Sequence, residues 1–237
     1  MARKILVTSG KGGVGKTSVC AHLGYALSSV GERVAVFDLD FGLNNLDVVM
    51  GVESKVVYDI KDVLDGKCRV KQTIIECTPR LALIPSRHTF DGQVTGQNIK
   101  LLAEGVSSRF DYLFYDCPAG VEGGFHRAAC AADEAILVVT PTITSLRDGD
   151  KVLSLLKKLQ AEKRLRNRKQ GAWRFAAIRQ DRQRKRDRIG FKNPRYRLYP
   201  RRRQGYAVKR LYFGKRARKK CFQAYRKGAT AWAGQAF

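Results

Sequence analysis

A chain of 237 residues, 44% of them hydrophobic, is long enough for one α/β domain with a sizeable core, or for such a domain with an appendage. The formal net charge of +25 is unevenly spread: residues 1–160 carry 19 Lys/Arg against 18 Asp/Glu, whereas residues 161–237 carry 27 against 3. Those last 77 residues hold only six Val, Ile or Leu, too little apolar surface to offset ordering entropy, so a folded domain (1–160) followed by a basic, disordered tail (161–237) is expected.

The six cysteines form no C-x-x-C pair and the three histidines lack metal-ligand spacing, which excludes the usual zinc patterns and predicts a reduced, cytoplasmic protein. No leader-like apolar segment precedes the first strand, and no run of about 18 apolar residues exists. Nothing in the chain is expected to span a membrane.

In chain order, residues 5–8 are an apolar run ending at a glycine-rich turn, and residues 17–27 follow with helical apolar spacing. This reads as strand, loop, helix. A second run, 34–37, ends at Asp38 and Asp40, with residues 41–45 as a polar turn. Further strands are predicted over 81–84, 112–115 and 136–140, and helices over 59–64, 97–106, 124–131 and 145–159. Nearly continuous apolar strands alternating with helices indicate a parallel sheet covered on both faces. Past residue 159 the amphipathic pattern stops, although charged residues can extend the helix outward as a stalk. No element is expected beyond it: the strand propensity of 196–199 and 206–213 is interrupted by Pro194, Pro200, Gly205 and three consecutive arginines.

Gly10-Lys11-Gly12-Gly13-Val14-Gly15-Lys16-Thr17 matches G-x-x-x-x-G-K-[ST] between a strand and a helix, the context that distinguishes a phosphate-binding loop from a chance glycine-rich turn. The glycines let the backbone wrap a phosphate closely with its N–H groups inward, and the helix adds its positive pole beneath. Lys16 is expected against the β- and γ-phosphates of a nucleotide, and the Thr17 hydroxyl on Mg²⁺. Together with Ser18, these residues make up the predicted ATP- or GTP-binding run.

Asp116 follows the strand 112–115, so its carboxylate falls at the carboxyl end of the sheet, where ligands of such sheets bind. It suits the magnesium shell, reached through water; an ordinary strand-ending Asp is the alternative, and the neighbouring loop favours the functional reading. Of Asp38 and Asp40, either carboxylate could orient an attacking water, because phosphoryl transfer demands positioning more than covalent chemistry.

The lysine at Lys11, in addition to Lys16, resembles the deviant Walker A motif of the ParA/MinD ATPases. The resemblance extends through Asp38-Leu39-Asp40-Phe41-Gly42-Leu43-Asn44-Asn45-Leu46-Asp47, Asp116-Cys117-Pro118-Ala119-Gly120, Ala132-Asp133-Glu134-Ala135 and Ser145-Leu146-Arg147-Asp148, covering residues 1–159. It implies an α/β P-loop NTPase fold and an ATP hydrolase that dimerises on ATP, with Lys11 crossing to the partner's phosphates. It further implies Lys11, Lys16 and Asp40 as catalytic residues, Asp40 positioning water. By the same resemblance, the ATP dimer binds the inner face of the cell membrane, recruits a MinC-like inhibitor to place the division septum, and is stimulated by a MinE-like or equivalent regulator.

The family's last third should hold further core strands, an adenine-contacting region and a membrane-binding helix, and none is recognisable after Gln160. Composition changes there inside a helix, at no turn. The preferred reading is a shifted reading frame in the source gene, leaving the last strands missing and the copy impaired. A second reading is a nucleic-acid-binding extension, since dense Arg/Lys interleaved with Tyr, Phe and Trp can neutralise phosphates and stack on bases. A third is an anionic membrane surface, as residues 208–213 set apolar groups beside cations.

Overall fold

The computed structural model describes residues 1–86, 94–166 and 175–179. Seven strands form one sheet: β1 (Arg3–Thr8), β2 (Val34–Asp38), β3 (Ile75–Thr78), β4 (Leu81–Ile84), β5 (Tyr112–Asp116), β6 (Glu134–Val139) and β7 (Phe175–Arg179). Their spatial order is β3-β4-β2-β5-β1-β6-β7, with every neighbouring pair parallel except the antiparallel β3–β4. Six helices connect them: α1 (Lys16–Ser28), α2 (Leu46–Met50), α3 (Ile60–Leu64), α4 (Gly96–Val106), α5 (Gly123–Ala131) and α6 (Ile143–Arg166).

The strands β2, β4 and β5 are buried at every residue, which is why they read as unbroken apolar runs rather than alternating ones. Successive side chains point to opposite faces and build two cores. Leu6, Phe37, Ile84 and Tyr115 pack with Ile99 and Ala103 of α4 and Phe125 of α5. Ile5, Val7, Val36 and Phe114 pack with Leu23 and Leu27 of α1 and Met50 of α2. The helix α1 sits so close to the sheet that a Cβ on Gly24 would stand 2.9 Å from Leu81 Cδ1.

The starts of α3 and α4 are set by side-chain caps. Asp59 accepts hydrogen bonds from Lys61 N (2.7 Å) and Asp62 N (3.1 Å), while the Asp62 side chain accepts from Asp59 N, a reciprocal cap for α3. Thr95 and Asn98 do the same for α4.

Three elements differ from expectation. The sequence predicts no element where the antiparallel edge strand β3 and the short helix α2 lie. The helix α6 runs on to Arg166, and β7 then pairs in register with β6, Ala135 opposite Phe175 through Val139 opposite Arg179. The sheet therefore gains a strand where none was expected, which corrects the reading of a sheet without further strands after the stalk. Residues 175–179 are a short run in strongly basic surroundings, and the pairing partner that makes them a strand is supplied by the sheet. The expected disorder of the remaining tail, and the interrupted segments 196–199 and 206–213, lie outside the described residues. Among the described residues, no helix is long and apolar enough to cross a membrane.

Candidate nucleotide-binding site

The three central strands bring the predicted residues together. In β1–β5 pairing Val7 lies opposite Asp116, and in β2–β5 pairing Asp38 lies opposite Asp116. The loops leaving β1, β2 and β5 therefore open on the same carboxyl edge of the sheet.

Residues 9–15 make the cradle. Gly13 (φ 71°) and Gly15 (φ 87°) occupy the left-handed region, which a Cβ disfavours. Nothing lies within 4 Å of where a Cβ on Gly13 would be, and only Ala119, at 3.8 Å, near one on Gly12. The space over these glycines is open to a ligand. Below, the loop is anchored by Ser9 Oγ donating to Lys11 O (2.7 Å), Gly120 N to Ser9 O (3.3 Å) and Cys117 N to Val7 O (3.3 Å). The helix α1 begins at Lys16 with Gly15 as its cap residue, no side-chain cap and no acidic residue in its first turn. Its first N–H groups thus keep their positive pole turned to the cradle.

Lys16 is buried at 7% exposure, whereas Lys11 is exposed. Asp116 is fully buried, and burial pushes its carboxyl up to about 7, opposed by the Thr17 hydroxyl that hydrogen-bonds it and by the Lys16 charge. Its Oδ1 has no hydrogen-bond partner. Asp40 is partly buried, raised by desolvation and lowered by Lys16. Asp38 is buried and pushed up to about 8, first by burial and then by the charge of Asp116.

This arrangement fits a nucleotide with magnesium. An orphaned carboxylate oxygen beside a threonine hydroxyl is what a hydrated divalent cation would satisfy. Among the described residues no group of three His, Cys, Asp or Glu side chains is set to hold a metal, so phosphate oxygens would complete the shell. The buried lysine and the open helix terminus supply the positive side of an anion site.

A cavity of about 500 Å³ lined by Arg3, Arg33, Phe110, Asp111 and Tyr112 lies at the opposite, amino end of β1, β2 and β5, away from this chemistry.

Two features escaped the sequence reading. Asp38 turns both carboxylate oxygens to the backbone, accepting from Asp40 N (3.0 Å) and Leu46 N (3.2 Å). Gly10 packs against α6, where a Cβ would meet Asp148 backbone at 2.5 Å. The acidic pair Asp38-Leu39-Asp40 hinted at the first; the second joins distant parts of the chain and has no local signal.

Comparison with known proteins agrees with this site. A family model described as ParA: NUBPL iron-transfer P-loop NTPase matches residues 1–163. The septum site-determining protein MinD of Bacillus subtilis is 44% identical over 160 residues, 66% of this chain and 60% of that protein. Among solved structures, MinD in the Aquifex aeolicus MinC:MinD complex is 34% identical with a TM-score of 0.62, covering 74% of this chain and 68% of that one. Pyrococcus horikoshii MinD complexed with Mg-ADP is 31% identical with a TM-score of 0.63, covering 75% and 70%. The chain spans about 60% of the length of the curated relatives it matches. The family model covers more than half of the chain, and the chain belongs to the ParA/MinD family of P-loop NTPases.

Proposed function

We propose that this chain is a magnesium-dependent ATPase that dimerises on ATP and takes part in placing the division septum by recruiting a division inhibitor to the membrane. The observation that carries the reading is the convergence of Lys16, Thr17, Asp40 and Asp116 on the open glycine cradle. Lys16 and the N–H groups of residues 10–18 hold the phosphates. Magnesium would be held by Thr17 and, through water, by Asp116, and when bound it neutralises charge on the phosphates. Asp40 orients the attacking water. The exposed Lys11 is free to reach a second subunit's nucleotide.

The septum role is supported by relatives named septum site-determining protein and by a relative recorded in complex with MinC. A MinC-like inhibitor, a MinE-like or equivalent regulator and the inner membrane surface are the partners this reading assigns, and impairment follows if the segment after 160 is a frame-shifted product. The charge of that segment, 27 Lys/Arg against 3 Asp/Glu, favours a second reading, a ParA-like partition ATPase whose basic tail binds nucleic acid. Co-sedimentation separates the two. ATP-dependent pelleting with anionic liposomes is expected from the septum reading. Pelleting with DNA that requires ATP, without liposome binding, supports the partition reading instead.

A further inference from the structure

The loop that carries Asp40 is short and lies between two buried anchors. It leaves β2 after Asp38 and ends where α2 begins at Leu46. Asp38, only 2% exposed, accepts Asp40 N on Oδ1 (3.0 Å) and Leu46 N on Oδ2 (3.2 Å). One carboxylate thus holds the first and last turns of the same loop. The contact to Leu46 also satisfies the leading N–H of α2, whose own cap residue, Asn45, makes no side-chain cap bond. Within the loop, Asp40 O accepts from Leu43 N (3.2 Å) and Asn44 N (2.9 Å), and Leu39 N donates to Asp116 O (2.9 Å). Asn44 Nδ2 ties the outside to Ser86 O (3.2 Å).

Every other residue of β2 is apolar, and an ionisable group buried there costs desolvation free energy. No residue of similar size other than Asp offers two acceptor oxygens to two N–H groups: Asn keeps one oxygen and turns an NH₂ against the other donor, and an apolar residue keeps none. The geometry favours loop shape over core stability at this position.

Resting on the ATPase reading above, we propose that Asp38 is a positioning residue for hydrolysis, its carboxylate fixing Asp40 over the phosphate cradle by clamping both ends of the loop 39–45. Asp38 acts through Asp40, and nucleotide affinity does not depend on it. Loosening the loop displaces the water-orienting carboxylate, and displacements of about 1 Å cost on the order of a hundredfold in rate.

The test compares wild type, Asp38→Asn, Asp38→Ala and Asp40→Asn, all in the full chain, for phosphate release at saturating Mg-ATP and for affinity toward fluorescent ADP. Asp38→Asn is expected to lower kcat by about tenfold or more while nucleotide affinity stays within about twofold, and Asp38→Ala to fall further toward Asp40→Asn. If Asp38→Ala does not fold, the milder Asp38→Asn still decides. Unchanged kcat in Asp38→Asn overturns the inference, as does a loss of affinity equal to the loss of rate, since that is the mark of general structural damage. A wild type that releases no phosphate overturns the ATPase reading itself; a wild type that does so, with an equally fast Asp38→Asn, overturns only the role of Asp38.

Discussion

Gly10, the first residue of the phosphate loop, lies directly against the backbone of Asp148 in α6, where a Cβ on Gly10 would stand 2.5 Å from both the carbonyl carbon and oxygen. Backbone cannot swing aside as a side chain can, so the loop and the helix fix each other's position. Gly10→Ala is expected to destabilise the fold by about 1–3 kcal/mol and to weaken ADP binding by displacing the loop. Urea unfolding and an ADP titration measure both; an unchanged midpoint means the helix yields freely and contradicts the coupling.

Lys16 and Asp40 should separate binding from chemistry. Lys16→Ala removes a buried cation facing the cradle and is expected to lower Mg-ATP affinity by about 10- to 100-fold, the range of a lost charge-assisted contact. Asp40→Asn leaves the phosphate contacts intact, so affinity should hold while phosphate release falls by about a hundredfold or more. Calorimetric titration and a phosphate-release assay report the two quantities. Full hydrolysis by Asp40→Asn removes Asp40 from the reaction.

Tyr115 makes the opposite kind of prediction. Its ring meets Phe37 edge-on at 5.3 Å, but its hydroxyl is buried without a hydrogen-bond partner, and burial drives its pKa far up. Tyr115→Phe keeps the ring and deletes the orphan, so stability should be unchanged or higher by about 1 kcal/mol. A lower urea midpoint would show that the hydroxyl is satisfied in solution.

Stability should fall with rising pH in the nucleotide-free protein. Asp38 and Asp116 titrate near 8 and 7 when folded, against 3.8 in an ordinary carboxyl. Between these limits the folded chain holds protons that the unfolded chain has released, so rising pH favours unfolding. The contribution is complete below about pH 4 and is lost as pH climbs through 7 to 8. Thermal melts should therefore give a lower Tm at about pH 8 than at about pH 6, and Asp116→Asn should flatten the difference. A Tm that rises over this interval contradicts the burial of these two carboxyls.

The chain declared its chemistry more plainly than its architecture. The glycine loop was legible because its demands are local: φ above zero at Gly13 and Gly15, a strand before and a helix after. Asp116 was legible because it ends an apolar run, whereas Asp40 was singled out from Asp38 only by the resemblance to the ParA/MinD ATPases. β3 was not, since Ile75-Glu76-Cys77-Thr78 is an edge strand buried only at its first residue and lacks the continuous apolar run of its neighbours. α2 has five residues, too few for a period to show, and its first N–H is satisfied by Asp38 from the strand before the loop. β7 depends on β6 for its pairing, and the basic residues around it hid the run. The meeting of Gly10 with Asp148 arises from the sheet order, which no window of sequence contains.

The most direct test is the association state of the Asp40→Ala variant of this 237-residue chain, in which slowed hydrolysis preserves bound ATP, measured by sedimentation with Mg-ATP and with Mg-ADP. A dimer with ATP, a monomer with ADP, and loss of the dimer when Lys11→Ala is added are expected of an ATP-driven switch. A monomer with both nucleotides, at protein and nucleotide concentrations that saturate the site, contradicts it.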